Sequence, residues 1–442
     1  MNIIYIHTHD TGRYIQPYGY GIPTPNLQTM AEEGVLFRNC FCCGPTCSPS
    51  RAALLTGMNP HSAGMLGLAH RGFQMNDYSK HMSNFLKNNG FETALCGMHH
   101  EVSHDKMNLL GYDRILGTLE IEKHSDHGTA LMLRDKANCK EAVKFIRAGH
   151  KKPFFLSFGM FSTHRPFPLE IEGVNPDYIS PPLKVPDNPD TRKDMAGFIM
   201  MAKLADECAG KVVQAVKDAG LDEDTFIFFT TDHGVAFPFS KCTLYDSGSG
   251  VALIFRFPKG KFTGRTVDSL VSHVDVFPTL CSLAGIDTPE WVEGSSILPM
   301  LEGKADKIRD EIFSEVSYHA AYEPMRSIRT ERYKLIRHFD DYENVVLPNI
   351  DGGLTKSFLL EHGLKDRKNE MLELYDLYFD PMEKHNLAFS GEYRGILENL
   401  MKRLDDWMKK TDDPLLAGYI EKPEGAIVNR KDSLHPDDKE YE

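Results

Sequence analysis

The spacing of apolar and polar residues predicts an alternation of strands and helices along the first two thirds of the chain. Residues 2–7 form a short apolar run that ends in polar residues, the pattern of a buried strand delivering a loop. Residues 154–159, 225–230 and 251–255 are further apolar runs of strand length, while 27–33 and 195–219 carry helical spacing and 51–56 opens another helix. Strands separated by helices imply an α/β fold, a large domain with a mainly parallel central sheet flanked by helices. Ligands in such folds gather beyond the carboxyl ends of the strands, where THDTG (8–12) and TTDHG (230–234) stand.

From about residue 305 the pattern changes. Residues 311–316, 325–330 and 333–338 read as strands joined by short turns, followed by ELYDLYFDP and a helix near 396–408. This predicts a smaller C-terminal α+β domain over 305–442, after a catalytic domain over 1–304. The last twenty or so residues, rich in Glu, Lys, Asp and Pro, read as a polar tail with little core of its own.

Composition narrows the function classes. An apolar fraction of 41% and a charged fraction of 26% fit a globular chain, and its 442 residues can bury a large core. The formal net charge of -13 argues against a general nucleic-acid binder but leaves room for a local basic pocket. No apolar run is long enough to span a bilayer, and MNIIYIHTHD lacks the regions of a secretory signal, so a cytoplasmic location is expected. The 9 cysteines are odd in number, which argues against a stapled extracellular framework. Cys40, Cys42, Cys43 and Cys47 lack the paired C-x₂-C spacing of structural zinc.

The stretch GPTCSPSRAALLTG (44–57) carries the first candidate chemistry. A helix beginning near Cys47 would set its thiol against unpaired backbone N–H groups, and Arg51 lies one turn on. That suits an anion beside a nucleophile; a helix cap with a buried thiol is the competing reading. His9 and Asp10 from one strand end, with Asp232 and His233 from another, could converge on one divalent cation, with Gly12 and Gly234 allowing tight turns.

C-S-P-S-R followed by A-A-L-L-T-G (47–57) resembles the modification signature of the sulfatase family, within the alkaline-phosphatase-like superfamily. TPNLQTMAEEG (24–34), the strand and DHG at 226–234, HVDVFPTL (273–280) and MRSIRTERYKLI (325–336) extend the resemblance over nearly the whole chain. FPFSKCTLYDSG (237–248) and EPMRS (323–327) are similar to the heparan N-sulfatase (sulfamidase) branch.

The resemblance implies that Cys47 is oxidised to formylglycine, whose hydrate is the nucleophile, by a maturation enzyme. It assigns Asp10, Asp232 and modified Cys47 to the metal, with His9 where many relatives have aspartate and His233 where asparagine or histidine occurs. Calcium is the expected cation; the two imidazoles open manganese or zinc. It further implies that Arg51 orients the hydrate, His100 deprotonates it, His164 lies beside the sulfate, and Lys241 binds sulfate and polarises the leaving group. Tyr245, Asp246, His319 and Arg326 are candidates for the pocket rim. One departure stands out: the family's G-K-x-H is Gly97-Met98-His99-His100 here, so compensation for the lost charge would fall to His99 or His104.

These residues predict hydrolysis of sulfate from a small sulfated sugar, an N-sulfoglucosamine or another glycosaminoglycan fragment, without nucleic-acid or membrane partners. Met98 and His233 keep a phosphonate monoester or phosphodiester hydrolase as an alternative, and a glycan-binding relative that never matures its cysteine is the non-enzymatic one.

Overall fold

The strand Asn2–Thr8 lies inside an eight-stranded sheet, with Phe154–Gly159 on one side and Thr225–Thr231 on the other, both parallel to it. The computed structural model describes residues 1–118, 120 and 124–442. Outward from Phe154–Gly159 come Glu92–Gly97 and Arg114–Leu116, again parallel. On the other flank Leu253–Arg256 runs antiparallel between Thr225–Thr231 and Val35–Phe37, and Arg265–Val267 closes the edge. The expected α/β class and its mainly parallel sheet are therefore present.

Every residue of Asn2–Thr8 is buried, and the side chains alternate between two cores. Ile4 and Ile6 pack with the helices His127–Arg147 and Pro189–Asp218, while Ile3 and Tyr5 pack on the other face with Leu54, Leu55 and Phe277. The apolar run at 251–255 divides. Gly250–Val251 joins a three-stranded sheet, and Leu253–Arg256 enters the main one. Between them Ala252 donates its N–H to the Gly12 carbonyl at 2.9 Å, which ties this strand to the loop bearing Asp10.

The helix expected at 195–219 starts earlier, at Pro189. Asn188 caps it by accepting from the N–H groups of Asp190 and Thr191. The helix His127–Arg147 was not among the expected elements; its apolar stripe is interrupted by buried Arg134, Asp135 and Asn138. Asp135 accepts from the backbone N–H groups of Phe161 and Ser162 and so fixes the loop leading to His164.

The strands Glu311–Tyr318, Tyr322–Thr330, Tyr333–His338 and Leu372–Asp376 form a separate antiparallel sheet in chain order, covered by the helix Arg394–Lys410. Its core is shared with the first part of the chain: Ala52, Met65 and Phe73 pack in one cluster with Tyr318, Leu335, Leu404 and Trp407. That cluster includes Ile420 and Val428, so the C-terminal segment is no bare polar tail. Asn429 is fully buried and bridges Ala321 and Tyr441. The tail gains its core from its neighbours, which its own composition does not record.

Candidate active site

Four parallel strands end at one edge of the main sheet. His7 lies level with Gly159, Gly159 with Gly97, and Thr8 with Thr231. The residues that follow these ends are His9 and Asp10, Phe161 to His164, Met98 to His100, and Asp232 to His233. The shared register therefore gathers residues separated by more than 200 positions. Two glycines allow the loops to meet: Gly12 has φ +56°, and a Cβ there would stand 3.2 Å from Gly234 Cα. A Cβ on Gly234 would strike the Ser247 carbonyl. Asp10 itself adopts φ 56°, unusual for a residue with a side chain.

Cys47 is the first residue of the helix Cys47–Thr56, all ten positions of which are buried. Thr46 precedes it in an extended conformation, and no side chain caps the helix. The Cys47 thiol thus sits at the N-terminal end, where unpaired backbone N–H groups favour negative charge. Burial pushes this thiol well above its ordinary pKa, with Lys241 opposing and Asp10 and Asp232 reinforcing the shift. As a thiol, Cys47 is a weak nucleophile.

Donor atoms of His9, Asp10, Cys47, Asp232 and His233 all lie within 4.8 Å of one another, and all five residues are buried. His9 Nδ1 is 2.9 Å from Asp10 Oδ1 and 3.0 Å from Asp232 Oδ2. His233 Nδ1 donates to the Gly234 carbonyl at 3.0 Å. In the neutral ring this leaves Nε2 as a lone pair aimed at Asp10 Oδ1, 3.3 Å away, and Cys47 Sγ, 3.4 Å away. A bare nitrogen acceptor beside the carboxylates of Asp10 and Asp232 fits a cation, because acceptors converging on one point favour positive charge there.

Arg51 lies beneath this cluster. Its Nη2 donates to Asp232 Oδ2 and to the Thr8 carbonyl, each at 3.0 Å, and Nη1 donates to His7 Nδ1 at 2.7 Å. Arg51 is 1% exposed; burial opposes its charge, and Asp232, Tyr5, Glu101 and Cys47 together sustain it. The Asp232 carboxyl would be raised by burial alone; His233, His9 and Arg51 hold it well below the usual carboxylate range.

Lys241 enters from the opposite side. Its Nζ donates to Asp10 Oδ2 at 3.0 Å, to Asp351 Oδ2 at 2.8 Å and to His164 Nε2 at 3.3 Å. His164 Nδ1 donates to the Arg165 carbonyl, which fixes Nε2 as the acceptor. Burial would discharge Lys241, but Asp10 and Asp351 hold its ammonium well above the ordinary range. His100 Nδ1 lies 3.2 Å from His9 Nε2, and burial holds its ring neutral, well below the usual histidine value.

The expected rim is only partly formed. Arg326 is fully buried; it donates two bonds to Asp413, at 2.6 and 2.9 Å, and one to the Val316 carbonyl. It is a strut of the C-terminal sheet: Asp413 takes its fork, and Glu315 Oε2 lies 3.2 Å from its Nη2. Asp246 likewise spends its carboxylate on Lys334 and Arg329. Tyr245 donates to Glu373 at 2.8 Å and lies under Lys184, lining a cavity of about 410 Å³ between Phe239–Tyr245 and the second sheet that Lys241 also lines. His319 lies near the site: it is buried within electrostatic reach of Lys241, Asp351 and His233, and its Nδ1 has no hydrogen-bond partner among the described residues.

Neither histidine near Met98 restores the missing cation. His99 is buried against Glu101 and held below its ordinary pKa, first by burial, while His104 is exposed at the start of a 3₁₀ turn. Arg51 and Lys241 are the two cations in direct contact with the cluster among the described residues. Reasoning from the sequence missed Asp351 and His7. Asp351 stands in NIDGG, where an acid before two glycines reads as a turn.

The chain falls in a known class of hydrolase. The Sulfatase family profile matches residues 1–286, and the chain belongs to that family. A second profile, N-sulphoglucosamine sulphohydrolase C-terminal, matches residues 232–352. The chain is 31% identical over 434 residues to an ulvan-active sulfatase of Formosa agariphila, covering 95% of this chain and 82% of the relative. It is 28% identical over 463 residues to human N-sulphoglucosamine sulphohydrolase, covering 92% and 89%. A solved structure in complex with its substrate D-glucosamine-2-N,6-O-disulfate has a TM-score of 0.70 at 20% identity, covering 93% of this chain and 98% of that one.

Proposed function

We propose that this sulfatase hydrolyses sulfate from a small sulfated saccharide, with the N-sulfate of a glucosamine as the leading substrate. The observation that carries the reading is the buried convergence of Cys47 with two carboxylates and two imidazoles, flanked by the fixed charges of Arg51 and Lys241. Its likeness to the human N-sulphoglucosamine enzyme supports the choice of sugar.

In this reading Cys47 is oxidised to formylglycine before it works, consistent with a thiol too strongly protonated to attack as such. His9, Asp10, Asp232, His233 and the oxygen replacing Cys47 Sγ would hold one divalent cation. It would supply Lewis-acid stabilisation of negative charge. Calcium suits the oxygen donors, and coordination by both imidazoles would select manganese or zinc instead.

The chain's own residues do the rest. Arg51 holds Asp232 in place through its bond at 3.0 Å. One hydroxyl of the aldehyde hydrate attacks sulfur as the bond from sulfur to the leaving nitrogen or oxygen breaks, and the proton that this hydroxyl gives up balances the one the leaving atom takes. Lys241 stands beside the sulfuryl oxygens, where a buried, permanently charged ammonium is worth far more than in water, and His164 orients it by accepting one of its bonds at Nε2. His100, kept neutral by burial, accepts the proton of the second hydroxyl as the carbon–oxygen bond to sulfate breaks and the aldehyde reforms.

The test is mass analysis of the peptide spanning Cys47 in native protein, followed by turnover of N-sulfoglucosamine, an aryl sulfate and an aryl phosphonate. Formylglycine with turnover of N-sulfoglucosamine is the expected result. Active native protein with an intact thiol overturns the nucleophile. Efficient phosphonate cleavage without sulfate release moves the function to phosphonate hydrolysis, the reading that neutral Met98 favours.

A further inference from the structure

Asp351 poses a problem of charge. Lys241 already has Asp10 at 3.0 Å, and a second carboxylate at 2.8 Å adds negative charge beside a pocket meant for an anion. Such a group raises the cost of binding sulfate unless it has work of its own.

The structure holds Asp351 in place with unusual care. Lys356, buried, donates to the carbonyls of Leu347 at 2.9 Å and of Ile350 and Leu434 at 2.7 Å, pinning the preceding turn to the C-terminal segment. Asn349 accepts from the Ala321 N–H at 2.8 Å and donates to Glu323 at 2.8 Å. On the other side Gly353 packs so closely on Arg165 that a Cβ would stand 2.1 Å from its Nη1. Asp194, paired with Arg165, also accepts from the Thr355 N–H at 2.9 Å at the start of the helix Leu354–Glu361. Arg165 is the neighbour of His164, so the Asp351 turn and the His164 loop are built as one unit.

Asp351 Oδ2 faces Lys241, while Oδ1 receives no hydrogen bond among the described residues, and the side chain is 14% exposed. His319, 4% exposed with an unpartnered Nδ1, lies within electrostatic reach of the same carboxylate. Two polar atoms near the ammonium, Asp351 Oδ1 and His319 Nδ1, therefore lack a hydrogen-bond partner among the described residues. A carboxylate only accepts, so its free oxygen repels sulfuryl oxygens and attracts N–H or O–H.

We propose that Asp351, with His319, reads a hydrogen-bond donor on the atoms next to the scissile sulfuryl group, and so selects sulfated amino sugars or vicinal hydroxy sulfates over sulfates without a donor. This rests on the sulfohydrolase reading and refines its substrate class. Asp351 is a specificity-determining residue that leaves the nucleophile's chemistry to Cys47 and His100.

The test uses full-length protein in two arms. In matured protein, kcat/KM is measured for N-sulfoglucosamine, which carries an N–H and a neighbouring hydroxyl, and for 4-nitrophenyl sulfate, which carries neither. In Cys47→Ala protein, calorimetry gives Kd for the same two compounds. Asp351→Ala and Asp351→Asn are made in both backgrounds, with cooperative unfolding and metal content checked. Asp351→Asn keeps the volume but turns its amide oxygen to Lys241 and presents an NH₂ to the substrate's donor.

Both variants should lose about 10- to 100-fold on N-sulfoglucosamine and less than about threefold on the aryl sulfate, in kcat/KM and in Kd alike. Equal losses on the two compounds, or none, overturn the proposal and leave Asp351 as a counterion of Lys241. If matured wild type turns over neither compound, the sulfohydrolase reading fails, while the binding arm still decides Asp351. If Cys47→Ala protein binds the two equally, the proposal fails whatever the turnover.

Discussion

Replacing Lys241 by Met and by Arg separates two roles that a lysine near a leaving group could play. Nζ lies 3.0 Å from Asp10 Oδ2, and the side chain is 3% exposed. With an effective dielectric of about 20, that separation corresponds to roughly 5–6 kcal/mol of attraction, much of it returned as desolvation. A bond between charged groups nets about 1.5–3 kcal/mol, and loss of one preorganised donor to a developing oxyanion costs about 10²–10³ in rate. Lys241→Met should therefore lower kcat about 10²–10³-fold. Lys241→Arg keeps the charge but adds volume to a packed site, a strain of about 1–3 kcal/mol, so it should retain about a tenth of the activity. The ammonium is held well above its ordinary pKa by Asp10 and Asp351 against burial, so it does not release its proton near neutrality. The assay is steady-state turnover of N-sulfoglucosamine and of an activated aryl sulfate, with Cys47 maturation quantified in each protein. If Lys241→Arg is as inactive as Lys241→Met on N-sulfoglucosamine while both turn over the aryl sulfate, Lys241 delivers a proton and the electrostatic argument is wrong.

Other expectations follow from the same geometry. Cys47→Ala should abolish turnover yet unfold cooperatively, because the side chain removed is small; denaturant titration beside the activity assay checks this. Asp10→Ala and Asp232→Ala should lower bound metal and turnover together, read by elemental analysis of washed protein; full activity after verified metal removal would contradict the assignment. Arg51→Met strips a buried ion pair of its cation and should destabilise the fold by about 3–5 kcal/mol, measured by chemical denaturation. Burial lowers His81 to about 4 and His273 to about 3, so both stay neutral in the folded state while the unfolded chain takes up protons below about pH 6.5. Each should therefore remove up to about 1.4 kcal/mol of stability per pH unit between pH 6.5 and 4. Replacing His81 with Gln should flatten that slope relative to wild type; an unchanged slope would show that His81 does not bear it.

The sequence by itself determined the local pieces of this protein. Apolar runs of strand length marked the strands at 2–7, 154–159 and 225–230, because burial on both faces of a parallel sheet leaves no other composition. C-S-P-S-R pointed to Cys47 and Arg51, since one helical turn fixes their relation without help from the rest of the chain. Elements whose faces depend on neighbours were less legible. His127–Arg147 hides Asp135 and Asn138 in its buried stripe, and the C-terminal segment takes its core from the second sheet. Only the tertiary structure decided which side chains meet. Arg326 and Lys241 are both cations near strongly patterned segments, yet one is bound to Asp413 inside the second sheet and the other faces Asp10. Asp351 lies 110 residues from Lys241, in a turn like many others, and nothing local marks it. A buried charge acquires its role from the partner that compensates it, and that partner is chosen by the fold, not by its neighbours in sequence.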